Sequence, residues 1–191
     1  MPRSNRQSSV LPLQPMSSFP LPLLGFAAYS GTGKTTLLKQ LIPLLKGAGL
    51  RLGVIKHAHH RVEVDHPGKD SYELRKAGAG QVLLASSRHW ALMVDEAQES
   101  EPTLPELLQR LDHARLDLVL VEGFRHLTFP KIELHRGSLH KPLLFPHDSS
   151  IIAIASDSGI DTNSELPQLN LNHPQEIAEF IQDFCRRFRV S

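Results

Sequence analysis

The chain has 191 residues, 40% of them apolar, and its 21 basic and 20 acidic residues give a formal net charge of +1. This length fits one domain with a substantial core, and no apolar run is long enough to span a membrane. Balanced charges provide no broad basic surface, which argues against nucleic-acid binding. The single cysteine, Cys185, excludes an internal disulfide, so we expect a soluble, cytoplasmic protein.

The first twenty residues differ in composition from the rest of the chain. They contain four prolines and five serines, which predicts a disordered N-terminal extension over residues 1–20 and a nucleotide-binding domain over residues 21–191. A signal peptide is rejected, because its cleavage after the apolar stretch 21–28 would remove the strand that the next motif requires.

A glycine-rich segment follows this first apolar strand, with the sequence S-G-T-G-K-T-T at residues 30–36. A strand that turns through glycines into a helix directs backbone N–H groups toward one point, where the helix N-terminus adds positive charge. Lys34 can reach the β and γ phosphates of a nucleotide, and the Thr35 hydroxyl can bind Mg²⁺. The strict motif has glycine at the position of Ala28. Alanine is compatible with the motif if the backbone has an ordinary φ at this residue. The predicted nucleotide-binding residues are Ser30, Gly31, Thr32, Gly33, Lys34, Thr35 and Thr36.

Helical and extended patterns alternate along the rest of the chain. Helices are predicted from the glycine-rich segment to residue 47, and over 71–77, 104–111 and 174–188. Strands are predicted over 23–28, 50–57, 81–85, 90–94, 116–121, 131–135 and 151–155. Pro43 interrupts the first helical pattern, and we expect one kinked helix rather than two. The alternation predicts an α/β fold with a doubly wound, mostly parallel sheet of the P-loop NTPase type, whose ligands bind at the carboxyl ends of the strands.

Polar clusters follow four of these strands, at residues 30–36, 56–70, 122–123 and 156–157, and this architecture should bring them to one crevice. Glu122 ends a buried strand, where P-loop enzymes place the carboxylate that holds Mg²⁺. We therefore predict Glu122 and Thr35 as magnesium ligands. The alternative is that Glu122 only caps a loop N–H.

The second cluster combines charged residues with histidines. Lys56 and His57 are predicted to line the nucleotide site, and either Asp65 or Asp70 could orient a water molecule in a nucleotide-dependent switch segment. The four histidines of this cluster could instead form a zinc or nickel site, because imidazole suits both metals. We favour contact with an anion, because the cluster lacks the thiolates or carboxylates of a closed metal site. These histidines are His57, His59, His60 and His66.

Asp157 bears on the choice of nucleotide base. Guanine presents two adjacent donors, N1–H and the 2-amino group, which one carboxylate can accept, whereas adenine presents an acceptor at N1. The chain has no N-K-x-D guanine motif, so the prediction of guanine depends on Asp157. The dinucleotide-binding fingerprint is disfavoured, because Thr36 occupies its last glycine position.

Five segments together resemble one family. In chain order they read S-G-T-G-K-T-T-L-L, I-K-H-A-H-H, D-H-P-G-K-D-S-Y-E-L-R-K-A-G-A, L-V-L-V-E-G-F-R-H and I-A-I-A-S-D. Their order and spacing are similar to those of the molybdopterin-guanine dinucleotide biosynthesis protein B (MobB) family, over roughly residues 21–188. The middle segments are far more specific than the glycine-rich one.

The resemblance implies a GTP-binding homodimer with weak, Mg²⁺-dependent GTPase activity. Such a protein is an adaptor that assists the guanylyltransferase attaching GMP to molybdopterin, with molybdopterin itself as a candidate ligand. It also implies that residues 31–36 bind triphosphate, that Glu122 belongs to the second nucleotide motif, and that residues 56–70 line the same site. The predicted catalytic residues are Lys34, Glu122 and Asp65.

Two other functions compete with this interpretation. A P-loop small-molecule kinase usually closes an arginine-rich lid over the phosphates, and residues 124–150 offer only Arg125 and Arg136. A metal-insertion GTPase would be supported only by the histidine cluster.

Overall fold

The computed structural model describes residues 19–57, 65–95, 101–161 and 164–188. Contacts divide the chain into two compact units. The first, which we call the sheet unit, comprises Met1–His57 and Leu104–Ser191; the second, the hairpin unit, is Ala58–Thr103. Within the described ranges, no helix is long and apolar enough to cross a membrane.

The helices and strands alternate along the chain as the sequence predicts. They are β1 (Leu23–Ala27), α1 (Lys34–Gly47), β2 (Leu52–Lys56), α2 (Asp70–Lys76), β3 (Gln81–Ala85), β4 (Trp90–Val94), α3 (Leu104–Gln109), β5 (Leu118–Glu122), β6 (Lys131–His135), β7 (Ile151–Ser156), β8 (Gln168–Asn170) and α4 (Pro174–Phe188). Pro43 lies inside α1, which is a single helix.

The sheet unit contains a six-stranded sheet in the order β2-β5-β1-β6-β7-β8, and all of its neighbouring strands pair in parallel. The apolar strand β5 lies inside the sheet between β2 and β1, as its composition predicts. Because the strands are parallel, their carboxyl ends lie along one edge, where the predicted nucleotide site should be.

Helices cover both faces of this sheet. On one face, α1 and α4 contribute fully buried residues such as Leu41 and Ile181 to the larger apolar core. On the other face, Leu104 and Leu108 of α3 pack against residues of β5 such as Val119. Helices on both sides of a parallel sheet confirm the doubly wound α/β prediction.

The edge strand β8 is missing from the sequence predictions. It has only three residues, with the sequence Q-L-N, and pairs with β7 from Ile154↔Gln168 to Ser156↔Asn170. A three-residue segment with two amides is too short and too polar to show a strand periodicity.

The hairpin unit contains α2 and the antiparallel pair β3 and β4, whose bounds match the two predicted strands. Val82 and Met93 pair on one face of the hairpin and are buried. The opposite face carries Leu83, Trp90 and Leu92, which are 62%, 70% and 46% exposed. This second face is an exposed apolar surface.

Two charged side chains of β6, Lys131 and Glu133, are buried to 1% exposure. The Lys131 ammonium donates to the carbonyl oxygens of Arg125 and Leu127 at 3.2 and 2.5 Å and lies 2.9 Å from Asp148. Burial by itself raises the pKa of the Asp148 carboxyl. Hydrogen bonds from Ser150 and Lys131 outweigh this effect and hold the pKa of Asp148 below the usual value. Lys131 therefore ties two loops to the sheet.

We expect Lys131→Met to lower the free energy of unfolding by about 3 kcal/mol, because it leaves a carboxylate and two carbonyls without their partner. Urea unfolding at pH 7 measures this value, and the exposed Lys39→Met should change it by less than about 0.5 kcal/mol.

The same substitution should alter acid sensitivity. A carboxylate with a lowered pKa stabilises the fold above its unfolded pKa of about 3.9, and this contribution is lost as the pH falls through the folded pKa. The Met variant should therefore lose less stability than the wild type over that range. Equal stability of wild type and variant at pH 7 would contradict the tethering role of Lys131.

Candidate functional site

The glycine-rich loop, residues 30–36, connects the end of β1 to the start of α1 in the sheet unit. Gly31 and Gly33 have φ values of 82° and 97°, a region that residues with a Cβ adopt only with strain. The Thr32 hydroxyl, which is buried, donates to the Tyr29 carbonyl at 2.8 Å and fixes the turn. Among the described residues no side chain caps α1, so its first amides are available to an anion.

Lys34 is the first residue of α1. Its ammonium donates to the carbonyl oxygens of Ala28 and Tyr29 at 3.2 and 3.0 Å, which leaves one of its three N–H groups for a ligand. Burial lowers the pKa of Lys34, and Glu122 counteracts this effect. In the described ranges, the only residues other than glycine with a positive φ are Phe124 and His140. Ala28 therefore has the ordinary φ that alanine needs at this position of the motif.

Thr35 and Glu122, the two predicted magnesium ligands, lie side by side. The Thr35 hydroxyl is 3.4 Å from Glu122 Oε1. Lys56 Nζ lies 3.4 Å from the Thr35 hydroxyl and 3.5 Å from Glu122 Oε2, so a cation already stands beside both oxygens. A hydroxyl and a carboxylate are ligands that Mg²⁺ prefers, and the residues present fit this metal.

The backbone after Glu122 is held in a tight turn. Gly123 has a φ of 110°, and a Cβ at this position would lie 2.6 Å from the Cβ of His57. The His57 amide donates to the Glu122 carbonyl at 2.8 Å, and its ring stacks on Phe124 with centroids 4.3 Å apart. His57 therefore supports the turn that presents Glu122, and its contact with a nucleotide stays a prediction.

Asp157 follows β7 and is linked to the glycine-rich loop through Arg136. Its two oxygens accept hydrogen bonds from the Gly137 amide at 3.0 Å and from Arg136 at 3.4 Å. The Arg136 Nε donates to the Thr32 carbonyl at 2.9 Å. Each carboxylate oxygen keeps a second lone pair, so Asp157 retains acceptors for a base, and guanine selection stays a prediction.

The contact of Arg136 with the glycine-rich loop was not predicted from the sequence. The position of Arg136 directly after β6 was an available signal, because it places the side chain at the same carboxyl edge as the other strand ends. Its partner could not be predicted, since the sequence does not reveal which strands are neighbours.

The predicted residues beyond His57 in the second cluster belong to the hairpin unit or lie outside the described residues. A hydrogen bond from Ser71 lowers the pKa of Asp65, which also accepts the amide of His66 at 2.9 Å. The catalytic role of Asp65 therefore stays a prediction. His59 and His60 lie outside the described residues. Among the residues that are described, no three or more His, Cys, Asp or Glu side chains cluster to hold a metal ion.

A parallel sheet with helices on both faces and a glycine-rich loop between β1 and α1 defines a P-loop NTPase fold. A family model described as Molybdopterin guanine dinucleotide synthesis protein B (MobB) matches residues 23–157. The chain belongs to this family.

Curated relatives match most of the chain. It is 49% identical over 168 residues to the molybdopterin-guanine dinucleotide biosynthesis adapter protein of Escherichia coli (strain K12), covering 87% of this chain and 95% of that protein. The protein of the same name from Haemophilus influenzae is 43% identical over 169 residues, covering 88% of this chain and 92% of its own length.

Solved structures agree with this assignment. A crystal structure of molybdopterin-guanine biosynthesis protein B (MobB) matches with a TM-score of 0.65 and 26% identity, covering 84% of this chain and 98% of that chain. A crystal structure of Bacillus subtilis MobB has a TM-score of 0.67 at 22% identity, covering 86% and 98% of the two chains. The second likeness concerns the fold alone.

We expect Lys56→Met to strengthen metal binding at the Thr35–Glu122 pair about fivefold. The ammonium repels an incoming divalent cation: two unit charges about 4 Å apart in water repel by roughly 1 kcal/mol, the double charge of the metal raises this repulsion, and salt screening lowers it. Electron paramagnetic resonance with Mn²⁺ as the probe, on protein without nucleotide, measures this affinity. Lys46→Met, an exposed lysine near the other end of α1, is the matched control, and unchanged or weaker Mn²⁺ binding in Lys56→Met would contradict the expectation.

Proposed function

We propose that this chain is a GTP-binding adapter protein of molybdopterin guanine dinucleotide biosynthesis. In this role it assists the guanylyltransferase that attaches GMP to molybdopterin. The proposal is supported by membership of the MobB family and by one structural observation. That observation is the Thr35–Glu122 pair, which lies beside a glycine-rich loop at the carboxyl edge of a parallel sheet.

The residues of the glycine-rich loop would hold the triphosphate. The backbone amides at the start of α1 can donate hydrogen bonds to phosphate oxygens, and the Lys34 ammonium supplies a positive charge beside them. Thr35 and Glu122 would hold Mg²⁺, which neutralises phosphate charge when bound. Lys56, next to both of them, can exchange its contact with Glu122 for one with a phosphate oxygen.

We also propose that GTP hydrolysis by this chain is slow. Arg136 is engaged with the Thr32 carbonyl and with Asp157, and the Arg125 guanidinium lies over the Tyr29 ring at 5.8 Å, so neither arginine is held in place as an arginine finger. Without such a group, turnover should resemble that of unassisted GTPases, about 10⁻⁴ to 10⁻² s⁻¹. The assignment of Asp65 or Asp70 to the attacking water stays a prediction from the sequence.

The hairpin unit supports the proposal that the chain is a homodimer. Leu83, Trp90 and Leu92 lie on one face of a two-stranded sheet and are largely exposed. An isolated hairpin is marginally stable in water, and adjacent exposed apolar residues mark interaction surfaces. A second copy of the same face would cover these side chains through an isologous contact.

We expect GTP with Mg²⁺ to stabilise the protein and ATP with Mg²⁺ to do so much less, because one carboxylate of Asp157 matches the two donors of guanine. At one hundred times the dissociation constant, the gain should be about 2.7 kcal/mol. A thermal-shift series with both nucleotides, with and without Mg²⁺, measures the difference.

Two variants sharpen this test. Lys34→Ala should remove most of the shift while leaving the fold intact, since Lys34 contributes charge at the site and nothing to the core. Asp157→Asn replaces one acceptor oxygen by a donor and should reduce the preference for GTP over ATP. Equal stabilisation by ATP and GTP would refute the guanine assignment.

We expect the wild-type chain to have twice the monomer mass of 21.3 kDa in solution. Trp90→Lys should shift it toward the monomer, because an ammonium would be buried against the second copy. Light scattering at micromolar concentration measures both masses. Phe188→Lys, at an apolar position that is 41% exposed in the sheet unit, is the control; a monomeric wild type would contradict the dimer.

A further inference from the structure

A cavity of about 360 Å³ lies in the sheet unit, outside the residues so far assigned to the nucleotide. Its volume is in the range of small-molecule sites. One wall is the segment of residues 125–128, the opposite wall is formed by Leu144 and residues 147–149, and Ala27 of β1 contributes to the lining.

The walls of this cavity are held by the two buried charges of β6. Lys131 bonds the carbonyls of Arg125 and Leu127 in one wall and the Asp148 carboxylate in the other. Glu133 accepts the amides of Leu144 and Phe145 at 2.7 and 2.8 Å. Replacing buried ionic groups by apolar ones is often neutral or stabilising, so stability alone does not explain this pair. Lys131 and Glu133 hold both walls of the cavity in place.

The polar lining favours an anion. Arg125, His126 and His147 line the cavity and are exposed to solvent. Asp148 is the acidic residue of the lining, and its carboxylate is engaged by Lys131 and by the Ser150 hydroxyl. The lining therefore includes one arginine and two histidines, whose side chains can donate hydrogen bonds to phosphate oxygens.

The cavity adjoins the glycine-rich loop. Ala27, in its lining, ends the strand that leads into the loop. The Arg125 guanidinium lies over the Tyr29 ring at 5.8 Å, and Tyr29 in turn accepts a hydrogen bond from Lys34. A ligand in the cavity would thus lie beside a nucleotide on the loop, and the Arg125 charge acts on both positions.

We propose that this cavity binds a small organic phosphate monoester, with Arg125, His126 and His147 around the phosphate and Leu127 and Leu144 against its apolar part. This site is separate from the glycine-rich loop and does not depend on GTP being the nucleotide.

Phenyl phosphate is the probe, and benzyl alcohol is its uncharged counterpart. The test follows backbone amide shifts of the full chain by NMR and measures affinity by titration. The Lys34→Ala background removes phosphate binding at the glycine-rich loop. We expect saturable shifts confined to residues 125–128 and 144–149, and no shifts with benzyl alcohol.

Arg125→Ala combined with His147→Ala should weaken phenyl phosphate binding at least about tenfold, since charge-assisted hydrogen bonds are lost. Arg110→Ala with His173→Ala, two exposed residues outside the cavity, should leave it unchanged. Shifts centred on residues 30–36, or the absence of saturable binding at millimolar probe, would overturn the proposal. If the double variant fails to fold, the shift map of the cavity in the Lys34→Ala protein decides by itself.

Discussion

The parallel register of β1, β5 and β2 is the constraint on which the candidate site depends. Glu122 pairs with Phe26 on one side and with Lys56 on the other. This row places the carboxylate beside the helix that begins at Lys34. A slip of one residue in β5 would turn Glu122 to the opposite face of the sheet. The apolar residues of β5 prevent the slip, because they would then exchange the two cores on which they pack.

The charged residues around this row of paired residues make the site electropositive. The charges of Glu122, Arg125 and Lys56 all act on the pKa of Lys34. Three cations near one anion repel each other, and burial adds to the cost of the Lys34 charge. A polyphosphate relieves both effects at once. This electrostatic imbalance fits an anionic ligand better than it fits a site designed only for stability.

The sequence predicted the parts of this arrangement that depend on local pattern. The apolar runs at β1 and β5 and the glycine-rich loop between a strand and a helix are local, and the structure has them with bounds that differ by one or two residues. The contact of Lys56 with Glu122 could not be predicted, because it requires knowing that β2 and β5 are neighbours. Pairing partners depend on the tertiary fold, which no local pattern encodes.

Strand β6 shows a different limit. Its sequence K-I-E-L-H alternates as a half-exposed strand does, and this alternation puts Lys131 and Glu133 on the polar face of the strand. The structure buries both residues, because the segments before and after the strand supply the carbonyls, amides and carboxylate that satisfy them. Alternation reports polarity on one face of a strand, but whether that face meets water or a polar loop is decided elsewhere in the chain.

The arrangement of arginines bears on why an adapter is proposed rather than a fast enzyme. Arg136 donates hydrogen bonds to the Thr32 carbonyl and to Asp157. These contacts tie the glycine-rich loop to the ends of β6 and β7 in the protein without ligand. While it keeps these contacts, this guanidinium does not lie on the charge that develops during phosphoryl transfer. At the unassisted rate of about 10⁻⁴ to 10⁻² s⁻¹, a bound GTP would persist for minutes to hours. Under the proposed function, such a lifetime would let a nucleotide-loaded protein meet a partner enzyme before hydrolysis, so a slow hydrolysis would suit the adapter role.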